Sequence, residues 1–139
     1  MKFVVDEDFA CFLEEFGTPR DGRPAEEDTL NKYRNRLPGR LLDYWKEYGF
    51  CSVKDGMFWI VNPDDFKDAM DQWLAFTDIP KEDNYHVIAR SGFGDLFLWG
   101  ERTGSKYVIE IRDGQIFSGR DDSKRIASGD ADKAVSIFF

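Results

Sequence analysis

Few side chains in this sequence could do chemistry by themselves. One histidine, His86, stands in the apolar run Tyr85-His86-Val87-Ile88. An imidazole titrates near neutral pH and could act as an acid–base group or orient a nucleophile. Inside a strand-like run, a hydrogen-bonded structural histidine is the stronger reading. Cys11 and Cys51 are far apart, in apolar surroundings and without metal-ligand spacing. They read as two reduced, packed thiols in preference to a disulfide or zinc site. Gly92-Phe93-Gly94 lies between two strand-like runs, not between a strand and a helix, so it reads as a turn and not a dinucleotide loop. No metal and no cofactor is expected.

Carboxylates are abundant, at 27 Asp and Glu, but spacing singles out no pair of the glycosidase kind. Asp64, Asp68 and Asp71 share one side of a helix-periodic stretch. They form either a solvated face or an acidic docking stripe for a basic partner, and spacing alone favours the solvated face. Phe58, Trp59, Trp73, Phe97 and Trp99 could make a stacking platform for a sugar or base, although at periods of 2 and 3.6 they fit core positions better. A second class of function stays open: a small-ligand or hydrolytic site using His86 and a carboxylate near the Trp59/Trp99 region.

Period and punctuation indicate the elements that would position these residues. Asp6 or Asp8 can cap a helix carrying Phe9, Phe12, Leu13 and Phe16 and stopped by Gly17. Residues 17–27 read as an exposed loop, followed by a short helical stretch through Leu30 and Tyr33. Pro38 opens a helix with Leu41, Leu42, Trp45 and Tyr48 on one face, ended by Gly49. Strands at 50–54 and 57–61 flank Asp55-Gly56, a hairpin signal. Asn62-Pro63 then starts a helix over 64–76, with Phe66, Ala69, Met70, Trp73 and Leu74 on its apolar side. Strands follow at 85–91, 96–101, 106–112 and 115–117, the last two joined by Asp113-Gly114. Tyr107, Ile109 and Ile111 alternate with charged residues, as in a sheet covered on one side. Residues 118–129 read as loop. Residues 130–139 start a capped helix whose apolar face must either dock back on the sheet or belong to a longer protein. The expected fold class is α+β, helices packed on an antiparallel, hairpin-built sheet.

The chain has 139 residues, 42% of them hydrophobic and 16% aromatic, enough for one domain with a real core and too apolar for disorder. Nineteen Lys and Arg against 27 Asp and Glu leave a net charge of −8. Such a chain repels phosphate backbones, so direct nucleic-acid binding is disfavoured and a basic protein partner is attracted. The N-terminal residues lack the pattern of a signal peptide, and no apolar run approaches a membrane span. The cytosol is the expected compartment.

Three ordered blocks resemble a known family. They are the stretch from Tyr33 to Gly49 around Leu37-Pro38-Gly39-Arg40-Leu41-Leu42-Asp43-Tyr44-Trp45, the stretch from Asp55 to Phe66 around Asp55-Gly56-Met57-Phe58-Trp59-Ile60-Val61-Asn62-Pro63, and the stretch from Tyr85 to Glu101 around Ser91-Gly92-Phe93-Gly94-Asp95. Together with the opening from Phe9 to Gly17, they are similar to the GAD-related (GAD-like) domains over about residues 3–118. The resemblance implies a bacterial, cytoplasmic immunity protein of a type VI secretion system, which binds a cognate DNase effector and performs no catalysis. It further implies a GAD-related domain at 1–118, with 119–139 as a linker and the start of a second, truncated domain. With the charge, it makes Asp64, Asp68 and Asp71 the first candidates for toxin contact and Glu82, Asp83 and Asp95 the second, beside an apolar anchor.

Overall fold

The computed structural model describes residues 4–139; residues 1–3, where the segment read for a targeting signal begins, lie outside them. Among the described residues, seven strands pair in chain order, every neighbour antiparallel. These are β1 (Arg20–Arg23), β2 (Phe50–Val53), β3 (Phe58–Ile60), β4 (Tyr85–Ser91), β5 (Leu96–Gly100), β6 (Tyr107–Glu110) and β7 (Gln115–Ser118). The helices are α1 (Glu7–Phe16), α2 (Glu27–Tyr33), α3 (Gly39–Tyr48), α4 (Lys67–Leu74), α5 (Ser123–Ala127) and α6 (Ala131–Phe138). The fold is α+β. Of the strand connections, β1–β2 carries α2 and α3, β3–β4 carries α4, and the rest are hairpin-like turns.

Both faces of the sheet's centre are covered, which corrects the expectation of one covered side. On β5, Phe97 and Trp99 face a core shared with Phe9, Leu41 and Trp45, while Leu96 and Leu98 face a second core with Met70 and Leu74 of α4. Strands β4 and β5 are nearly continuous apolar runs, and such strands need cover on each side. A bulge between Val87 and Ala89 turns both Ile88 and Ala89 toward the first core.

Four local readings also change. Residues 17–27 contain β1, a charged edge strand with all four residues exposed, recruited by backbone pairing to β2 and without apolar periodicity to reveal it. The helix expected over 64–76 divides into a 3-10 turn, Pro63–Phe66, and α4, because the Asn62 side chain accepts from Asp64 N and Phe66 leaves helical geometry; Ala69 is exposed. Residues 118–129 contain the short, polar α5. Ile111 lies past the end of β6 and is exposed, because the chain is already turning toward Gly114. Of the two thiols expected to be packed, Cys51 is buried and Cys11 is exposed on α1.

The C-terminal helix packs against α1 and α3. Asp8 accepts from Lys133 Nζ at 2.6 Å and Ser136 Oγ at 3.1 Å, and Arg40 N donates to Asp132 at 2.9 Å. Val135 is fully buried, and the Phe139 ring meets Phe9 and Phe12. Asp6 caps α1 and also accepts from Tyr44 OH, whose ring stacks on Phe9 at 3.9 Å. Among the described residues, no helix is long and apolar enough to cross a membrane.

A buried carboxylate ties the start of β4 to the end of β5. Asp83 accepts from the backbone N–H groups of Asn84, Arg102 and Thr103 and from Thr103 Oγ1, at 2.7–3.0 Å. Gly100 leaves room for it, since a Cβ there would clash with both Asp83 Oδ2 and Thr103 Oγ1. Gly100→Ala should therefore lower stability by about 1–3 kcal/mol in urea unfolding. Gly39→Ala, where a Cβ meets nothing closer than 4.0 Å, should be neutral or slightly stabilising. Equal effects from the two substitutions would show that the Asp83 clamp is not tight.

Candidate functional site

The candidate acidic residues stand in different surroundings. Asp64 lies in the 3-10 turn before α4, where its Oδ1 accepts from Lys32 Nζ at 2.6 Å and Tyr33 OH at 2.5 Å. Burial works to raise this carboxyl, but those two hydrogen bonds outweigh it and hold it below its ordinary value. Asp71 pairs with Lys67 at 2.6 Å, one turn back on α4. Asp68 is exposed on α4 about 60° around the helix from Asp71, and Glu82 is exposed in the loop before β4. Asp83 is buried in its own turn. Asp95 lies at the far end of the β4–β5 hairpin, where it accepts from Ile111 N at 3.1 Å. Strand β4 alone puts roughly 20 Å between Asp83 and Asp95.

What the fold does assemble is a cleft of about 440 Å³ between α2, α4 and the loop leading into β4. Its apolar floor includes Pro63, Met70, Leu74 and Ile79, and Lys32, Arg36, Lys67 and Lys81 stand around it. His86 closes one end. The imidazole is 8% exposed and meets the Tyr33 ring edge to face at 5.4 Å. Its Nε2 lies 2.8 Å from Glu101 Oε2, which fits the neutral tautomer with Nε2–H donating. Burial lowers the His86 pKa, and the Arg36 charge acts the same way; the hydrogen bond to Glu101 opposes both and does not win. Burial also pushes the Tyr85 hydroxyl up to about 12, and it donates to the Pro80 carbonyl at 3.0 Å, pinning the loop. Sequence reasoning missed the four cations, because they come from separate elements and no spacing connects them.

The aromatic region imagined around Trp59 and Trp99 is not one site. Trp99 is buried in the first core, whereas Trp59 packs against the second, with the Arg90 guanidinium over its ring at 4.6 Å. The two tryptophans lie on opposite faces of the sheet. Among the described residues, no three His, Cys, Asp or Glu side chains are grouped to hold a metal ion.

A second concavity, of about 510 Å³, lies on the other flank of α4. It runs between Gln72, Trp73, Phe76 and Thr77 and the edge strand residues Gln115 and Ile116. Phe76 is 91% exposed beside it. Phe76 lies in the turn just past α4, and the exposed Asp78 follows it by two residues.

Comparison with protein families matches residues 7–113 to the GAD-like domain model. The fold is similar to that in the crystal structure of Atu4351 from Agrobacterium tumefaciens, with a TM-score of 0.72 and 22% identity over 94% of this chain and 58% of that one. The chain thus spans 58% of that protein's length, and at this identity the likeness concerns the fold. A search of curated proteins gave no match.

His86 gives the cleft a measurable signature. The unfolded chain protonates it near 6.5, while the folded chain holds it neutral to lower pH. The unfolded state therefore binds more protons in that window, and this contribution to stability should fall as pH drops below 6.5 and level off below the folded pKa. Imidazole NMR should show a midpoint under 6.5, and His86→Asn should flatten the pH dependence of the urea midpoint between pH 7.5 and 5. A midpoint at or above 6.5 would mean that the Glu101 contact overrides burial.

Proposed function

The chain belongs to the GAD-like domain family, and from that premise we propose that it is an immunity protein. It binds and neutralises a cognate nuclease effector of a type VI secretion system in the bacterial cytoplasm, one to one and without turnover. The observation that carries this reading is the flank of α4. Phe76, in the turn just past the end of α4 and two residues before the exposed Asp78, stands almost fully exposed over a groove formed by Trp73 and Ile116. An aromatic beside carboxylates suits the cationic DNA cleft of a nuclease. The aromatic supplies affinity when desolvated, and the charge speeds encounter.

The net charge of −8 adds a field that draws in a basic protein and repels DNA. Asp64, Asp71, Glu82 and Asp95 contribute to that field from their separate positions. Asp83 contributes only as a fixed charge, because its oxygens are bound by its own turn. With the effector bound through this flank, the inhibitor occupies the place of the phosphate backbone, so inhibition is stoichiometric.

Co-expression with the nuclease encoded beside its gene should restore growth, and the purified proteins should form a 1:1 complex at micromolar concentration. Failure of both would refute the assignment. Phe76→Ala should weaken the complex at least tenfold, about 1.4 kcal/mol, with the fold intact. Asp68→Lys should slow association and flatten its salt dependence. A complex indifferent to both substitutions would place the interface elsewhere on the molecule.

A further inference from the structure

The cleft at His86 differs in character from the acidic surface around it. Four cations, Lys32, Arg36, Lys67 and Lys81, line it beside two carboxylates, Asp71 and Asp83, in a chain whose net charge is −8. The carboxylates beside the cleft are committed or weakly held. Asp83 is bound by backbone N–H groups, and the Lys32–Asp64, Lys67–Asp71 and Arg36–Glu101 pairs are all partly open to solvent. Ion pairs that exposed are worth at most about 1 kcal/mol each and can be exchanged for a bound anion. Lys81 has no carboxylate within ion-pair distance among the described residues; its Nζ donates to the Leu74 carbonyl at 2.6 Å.

The floor is apolar, formed by Met70, Leu74 and Ile79, and the volume falls within the range of small-molecule sites. A bare inorganic ion would leave that floor unfilled, and a neutral molecule would leave the cations unused. Several converging cations match a dianionic phosphate better than a single carboxylate. We propose that this cleft binds a small phosphate ester with an apolar body, of about mononucleotide size. The site is independent of the effector surface, which lies on the opposite flank of α4.

Titration calorimetry on the isolated full chain at low salt tests this, with phenyl phosphate, AMP and UMP as probes and adenosine and inorganic phosphate as controls. At least one ester should bind with a Kd below about 1 mM, at least tenfold tighter than either control. Lys67→Gln and Lys81→Gln should each weaken binding several-fold, whereas Lys124→Gln, on α5, should not. The Lys81→Gln side chain keeps an N–H donor for the Leu74 carbonyl, and circular dichroism of each variant should match that of the parent chain. Absence of binding by all three esters, adenosine binding as well as AMP, or binding unaffected by both cleft substitutions would overturn the proposal.

Discussion

Strands β4 and β5 have no solvent face at their centre, and the rest of the molecule is arranged around that constraint. Val87, Ile88, Leu98 and Trp99 are essentially inaccessible and point to two different cores. An antiparallel meander commonly leaves one side wet. Here the link between β3 and β4 must lay α4 across one face, while α1, α3 and α6 close the other. Each fully buried aliphatic of this kind contributes a few kcal/mol, so neither helical layer can be lost without exposing a core. The Asp83 clamp then fixes where β4 begins, and with it the depth of the cleft in which His86 sits.

Helix α4 gives the protein two electrostatic characters. One flank carries Lys67 and Asp71 toward the cleft, among further cations from α2 and from the loop before β4. The other carries Gln72 and Trp73 and leads to Phe76 and the β7 edge. The net charge describes the far field and is silent about this division. A partner approaching from a distance meets an acidic molecule, and a small anion already at the cleft meets lysines and an arginine, three of them in solvent-open ion pairs. The proposed protein-binding and ligand-binding surfaces are therefore compatible within one small domain, since they use opposite sides of a single helix.

Much of the architecture was legible because its signals are local. Asp55-Gly56 and Asp113-Gly114 marked turns, Gly49 ended α3 with φ +71° and its N–H on the Trp45 carbonyl, and alternation marked β6. Helical period marked α1 and α3. Strand β1 escaped notice because an edge strand whose side chains all face water has no period to read. Helix α5 escaped because it is short and polar. The aromatic region around Trp59 and Trp99 failed for a different reason: residue type is visible in a sequence, but the side of the sheet a residue joins depends on strand register.

The sequence by itself determined the class of fold, most of its elements, the acidic field and the family resemblance, because each depends on composition or on neighbours close along the chain. Only the tertiary structure decided that both sheet faces are covered, that Asp64 is bound by Lys32 and Tyr33, and that four cations and a buried histidine share a cleft. Those outcomes depend on which distant segments meet. Lys32 and Asp64, or Asp83 and Thr103, become partners only once the meander has closed, and no spacing along the chain encodes the distance between them.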